Sequence, residues 1–192
     1  MVGSSNFVAH AWKALLLACC LVYPIVGQGQ AASATAQLTI TMSVQSSISL
    51  IFQNNPAVGT TGFCPLTNPG TNNVGLDLGT AAFPSGSDSF PCVAYAHIGS
   101  ATYQVSSGFD VMVTKANSSS PNYRLAAEIS VAPPANVVWL VNNVTLSNTG
   151  FTQLDASDAY GTRVTKTLQV QVKNTVPAQL LQETITFLAT AN

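Results

Sequence analysis

The chain has 192 residues with 6 Lys+Arg and 7 Asp+Glu, so only 7% of it is charged, against roughly a quarter in an ordinary soluble domain. A net charge of −1 with no basic run leaves no electrostatic footprint for nucleic acid and no polybasic patch for an anionic membrane surface. Hydrophobic content is 47%, yet no run reaches the roughly 18 apolar residues that a membrane span needs.

Lys13 is the sole charge among residues 1–76 and stands directly before the apolar stretch from Ala14 to Val26, after which Gln28-Gly29-Gln30 leads into Ala32-Ser33-Ala34. That order predicts a secretory signal peptide over residues 1–34, cut after Ala34. Pro24 and Gly27 end the apolar stretch too early for an N-terminal membrane anchor. Residues 35–192, 192 − 34 = 158 in number, then form one domain large enough to bury its own core. Cys19 and Cys20 leave with the signal, and Cys64 and Cys92 remain. In an oxidising compartment that pair is expected to form one disulfide. The alternatives are a metal pair or a reactive thiol, although two cysteines without a CxxC spacing supply half a zinc site at best.

From Leu38 to Phe52 the even positions are apolar except for Ser46, and the odd positions between them are mostly Thr, Ser or Gln. A period of two predicts a strand. Fifteen residues exceed the usual strand length, so a break is expected near Ser46-Ser47. The same alternation recurs in Phe109-Val111-Val113, in Tyr123-Leu125-Ala127-Ile129-Val131, in Val164, Leu168, Val170 and Val172, and in Ile185-Phe187-Ala189-Ala191. Val137-Val138-Trp139-Leu140-Val141 reads as a strand buried on both faces with Trp139 as a core anchor. Turn-rich pieces such as Thr67-Asn68-Pro69-Gly70 and Asn117-Ser118-Ser119-Ser120-Pro121 separate the strands. The expectation is an all-β fold, an antiparallel immunoglobulin-like β-sandwich of about eight strands.

Catalytic and ligand chemistry is sparse. With His10 in the signal, His97 is the one remaining histidine, which rules out a histidine-based metal cluster. His97 could pair with Asp88 or Asp110 in a triad, but no G-x-S-x-G elbow presents a nucleophile. The other acidic residues are Asp77, Glu128, Asp155, Asp158 and Glu183, and no two of them read as a glycosidase pair on a shared loop. Asp155-Ala156-Ser157-Asp158, read as a loop ending at Gly161, is the nearest approach to a cation site, without the D-x-D-x-D-G spacing. As turn formers the two aspartates need no ion. Asn117-Ser118-Ser119 and Asn143-Val144-Thr145 match the glycan acceptor pattern. No enzyme activity, cofactor or metal is expected.

Several segments in order carry a resemblance: the alternating strand Ala36-Gln37-Leu38-Thr39-Ile40-Thr41-Met42-Ser43-Val44, the segment 74–80 (VGLDLGT), the strand 109–117 (FDVMVTKAN) and the closing 183–192 (ETITFLATAN). Behind a signal and with one cysteine pair, the chain resembles small secreted bacterial β-sandwich surface proteins, in the style of fimbrial subunits and spore-coat-U-like proteins. The resemblance implies a structural or adhesive role at the cell exterior, in a filament or matrix. Fimbrial subunits assemble by giving a strand to a neighbour, a mode in which backbone hydrogen bonds supply affinity and alternate side chains fill pockets. Leu38, Ile40, Met42 and Val44 are the candidate donor segment, with pairing inside the same sandwich as its alternative.

The expected function is therefore an exported, non-enzymatic structural or adhesive protein whose partners are copies of itself or other surface proteins. The alternative is a secreted carbohydrate-binding module that stacks glycans on Tyr95, Tyr103, Phe151 or Tyr160. Residues 35–76 carry no charge, whereas edge strands are normally guarded by Lys, Pro or inward charges.

Overall fold

The computed structural model describes residues 39, 41–43, 45–82, 87–88 and 91–192, with backbone alone at 82, 87 and 88. The predicted signal peptide lies outside the described residues, as do Leu38, Ile40 and Val44 of the predicted donor segment. In chain order the strands are β1 (Ser47–Gln53), β2 (Leu66–Thr67), β3 (Gly75–Leu76), β4 (Ala81–Ala82), β5 (Ser87–Asp88), β6 (Ala94–Gly99) and β7 (Thr102–Ala116), then β8 (Asn122–Ile129), β9 (Val137–Val141), β10 (Val144–Thr145), β11 (Thr152–Ala159), β12 (Arg163–Lys173) and β13 (Ile185–Ala191). Among the described residues, eight of these have five residues or more and five are two-residue bridges. No described residue is helical.

Two antiparallel sheets form a β-sandwich. The larger runs β1-β7-β12-β9-β10, with β6 also on β7, and the smaller runs β11-β8-β13. The core draws on inward positions of both: Val111, Val113, Trp139, Leu168 and Val170 from one, Tyr123, Leu125, Ala127 and Ile129 from the other. In β7 the odd residues from Tyr103 to Val113 are all buried, as the period of two requires. At β9 and β10 the chain reverses through Asn142 and Asn143, both in the left-handed region at φ 50° and 64°. Asparagine tolerates that conformation, and paired positive φ values make the turn type that matches strand twist. Gln169 on β12 holds the turn, its Oε1 accepting from the Asn143 N–H at 2.7 Å and its Nε2 donating to Asn143 Oδ1 at 2.8 Å.

Three details differ from the period-two reading. Strand β1 begins at Ser47, and the described residues before it are outside any strand, where the alternation predicted a strand from Leu38 with a break near Ser46-Ser47. Val131 is exposed beyond the end of β8, where Glu183 Oε1 accepts from the Ser130 and Val131 N–H groups at 3.0 and 3.2 Å. Asp155 and Asp158 lie on strand β11 and not on a loop, because register shifts at Gln153/Asp155 and Asp155/Asp158 break its alternation.

Along one edge of β7, β1 covers residues 110–116 and β6 covers 102–106. The gap between them is filled by the chain at 62–64. Gly108 N–H donates to Gly62 O at 2.6 Å and Cys64 N–H to Ser107 Oγ at 2.8 Å. A Cβ on Gly108 would lie 2.4 Å from Phe63 Cε1, so this approach needs glycine. Cys64 is bonded to Cys92 with Cα atoms 4.8 Å apart, and both are buried. The expected disulfide thus closes the excursion between the two edge strands at its neck. Replacing both cysteines by Ser should lower stability by about 2–5 kcal/mol, read as a lower urea midpoint. An unmoved midpoint would mean that the hydrogen bonds at 62–64 hold the excursion alone.

Candidate functional site

Among the edge strands of the two sheets, β13 and β1 have outer edges that are largely open among the described residues. In the smaller sheet β13 pairs only with β8. Ser130 N–H donates to Thr184 O and Asn192 N–H to Asn122 O, so even-numbered residues of this segment bond toward β8. By the alternation of an antiparallel ladder, the N–H and C=O groups of Ile185, Phe187, Ala189 and Ala191 point away from β8. In the larger sheet Phe52 N–H donates to Thr71 O and Phe52 O accepts from Gly70 N–H, on the side away from β7. The backbone groups of Ile48 and Leu50 face that same side. Neither β1 (SISLIFQ) nor β13 (ITFLATA) carries a charge or a proline, so the usual edge guards are missing from both.

The residues whose backbone faces outward are the ones whose side chains face inward. Ile48, Leu50, Ile185, Phe187 and Ala189 are half-buried against the core. Phe187 makes edge contacts with Phe52 at 5.2 Å and Phe109 at 5.9 Å between ring centroids. Beside them lies a cavity of about 620 Å³, lined chiefly by Leu66, Leu76, Phe109, Trp139, Ile185 and Phe187. A second cavity of about 550 Å³, lined by Val105, Val170 and Val172, shares Leu78, Trp139 and Leu181 with the first. Leu180, which lines both, is 84% exposed. The arrangement is an apolar groove with a bare strand edge along it, chemistry suited to accepting an extended apolar segment.

A polar cluster lies elsewhere in the sandwich. Lys166 faces inward from β12, its side chain 2% exposed, and its Nζ is 2.5 Å from Asp155 Oδ2 and 3.9 Å from Asp158 Oδ2. Residues three apart on a regular strand face opposite ways. The irregularity in β11 sets Asp155 opposite Leu125 and Asp158 opposite Tyr123, both inward residues, so both carboxylates share the core face. Burial, then the adjacent Asp155, raises the Asp158 carboxyl above its ordinary range, against the opposing pull of Lys166. Tyr123 is fully buried, and its phenol is pushed up from 10.0 to about 12 by burial first and then by Asp158, Asp155 and Tyr160. The Tyr123 and Tyr160 rings are 5.3 Å apart, and Lys115 Nζ lies 4.9 Å from the centre of the Tyr160 ring.

The other residues singled out in the sequence are dispersed. His97 stacks on Tyr103 at 4.7 Å, while Asp110 Oδ1 accepts from Asn55 Nδ2 and Thr165 Oγ1, both at 2.8 Å. Of the four aromatics, Tyr95 and Tyr103 are neighbours at 6.2 Å, Tyr160 packs on Tyr123 and Phe151 is exposed. Met42 is exposed at 80%. Among the described residues no three His, Cys, Asp or Glu side chains gather as a metal site. Lys166 was legible as an anomaly, since it occupies the inward phase of Val164, Leu168, Val170 and Val172. The bulge that supplies its partners has no such signal.

In comparisons with known proteins, no protein-family profile, no curated protein and no solved structure matches the chain.

Tyr123 Oη is buried without a hydrogen-bond partner among the described residues, so Tyr123→Phe should not lower stability at neutral pH. A phenol raised in the folded state contributes stability that is full below pH 10.0 and is lost as the pH climbs through about 12. The wild type should therefore lose stability over that window more steeply than Tyr123→Phe, as urea denaturation at successive alkaline pH values would show. Parallel curves would contradict it.

Proposed function

We propose that this chain is an exported, non-enzymatic building block or adhesive component of the cell exterior, which assembles by adding a strand from one copy to the sandwich of the next. The observation that carries this reading is the uncharged open edge of β13 beside an apolar groove. A strand laid along β13 would pair with the outward N–H and C=O groups of Ile185, Phe187 and Ala189 and send alternate side chains into the groove. Leu38, Ile40, Met42 and Val44 have the required period of two, within a stretch that carries no charge from residue 35 to 76. Export follows from the predicted signal peptide and agrees with a buried disulfide, a bond that persists in oxidising compartments.

The purified chain from residue 35 onward should form polymers visible by electron microscopy and sedimentation. Deleting residues 35–45 should abolish them while leaving a folded, disulfide-bonded monomer. Persistent monomers at high concentration with the segment present would overturn the reading, and a glycan-dependent mobility shift in such monomers would favour the carbohydrate-binding alternative.

A further inference from the structure

Lys166 is hard to explain as an ordinary ion pair. Only 7% of the chain is charged, yet this ammonium sits in the core facing two carboxylates. Desolvating such charges commonly offsets their attraction, and apolar residues of similar volume serve stability as well or better. What the arrangement does supply is reaction geometry. An amine nitrogen is held 2.5 Å from an oxygen of the carboxyl group whose carbon it would attack, and intramolecular reactions between well-oriented groups reach effective molarities of about 10⁵–10⁸ M. The core position of the Lys166 side chain, 2% exposed, also disfavours retention of the water that condensation releases.

We propose that Lys166 and Asp155 condense to an intramolecular amide that ties β12 of the larger sheet to β11 of the smaller one. The inference stands apart from the assembly reading and does not depend on it. The ammonium first passes a proton to the Asp155 carboxylate across their contact, leaving a neutral amine and a neutral acid. The Nζ lone pair then forms a bond to Asp155 Cγ, whose C=O π pair moves onto oxygen. As the carbonyl re-forms, the C–OH bond breaks. The hydroxyl leaves with a proton as water, and Nζ gives up its remaining extra proton. Amine and acid become amide and one water, with no oxidant, metal or activating group required. Asp158 is the proton carrier, since its carboxylic acid can donate to the Asp155 oxygen while its conjugate base takes the proton from Nζ. Its Oδ2 is 3.9 Å from Nζ, close enough to serve both. Burial and Asp155 favour the protonated form of this carboxyl, as the first role requires. The β11 irregularity is then functional, because without it Asp158 would face away from the amine.

The test is mass spectrometry of the denatured, reduced wild-type chain after trypsin. With the amide in place, trypsin cannot cut after Lys166, and fragment 125–163 should appear joined to fragment 164–173, lighter than their sum by one water. The linked species should vanish in Lys166→Arg and in Asp155→Ala. A folded Asp158→Asn protein should yield separate fragments of full mass. Cleavage after Lys166 in the wild type, with fragments 164–166 and 167–173 both present and 125–163 at full mass, would overturn the proposal whatever the variants do. A fully linked Asp158→Asn protein would overturn the role given to Asp158.

Discussion

The ladder between β7 and β12 organises this molecule. It runs in continuous register from Thr102 opposite Lys173 to Met112 opposite Arg163, and every other strand of the larger sheet is attached to one of these two except β10, which extends β9. Strands β1 and β6 take the far edge of β7, and β9 takes the far edge of β12. Because side chains alternate, register also decides what faces the core. With Lys166 opposite Phe109, and Leu168 opposite Ser107, the inward column of β12 must include the ammonium. A slip by one residue would expel it and bury Thr165 and Thr167 in its place.

The two sheets differ in width, and that difference creates the groove. The larger sheet presents inward residues from β1 through β9, including Trp139, Val170 and Val172, while the smaller sheet has three strands and ends at β13. Part of the larger sheet's inner face is consequently covered by the mostly irregular segments 74–81 and 176–181, which line the cavities. Irregular chain covers a sheet less completely than a strand does, because its side chains lack the period that fills one face evenly. The disulfide belongs to the same problem. It anchors the excursion between β1 and β6 at its neck, where the described residues have only the two-residue ladders β2-β3 and β4-β5 of their own.

Charge scarcity acquires two meanings from the tertiary structure. Along β1 and β13 it leaves backbone edges unguarded. Inside the sandwich the few charges present are grouped: Lys166 faces Asp155 and Asp158, while buried Asp110 is held by Asn55 and Thr165. A chain with so few ionisable groups that nevertheless buries Asp110 and Lys166 is using these two for specific contacts, since much of the solvation of the surface falls to its Ser, Thr and Asn residues.

Alternation alone determined the strand class and the core columns of β7, β8, β12 and β13. Inward and outward positions on a regular strand follow from a local period of two that any window of the sequence displays. The cysteine pair was legible for a similar reason, since only two cysteines remain outside the predicted signal. Other features required long-range pairing. Asp155 and Asp158 read as turn formers because a three-residue spacing fits no strand face, and only the mismatch against β8 turns both inward. The open edges of β1 and β13 are likewise invisible locally, because a strand's sequence records which side chains suit a sheet and not whether its last hydrogen-bonding side has found a neighbour.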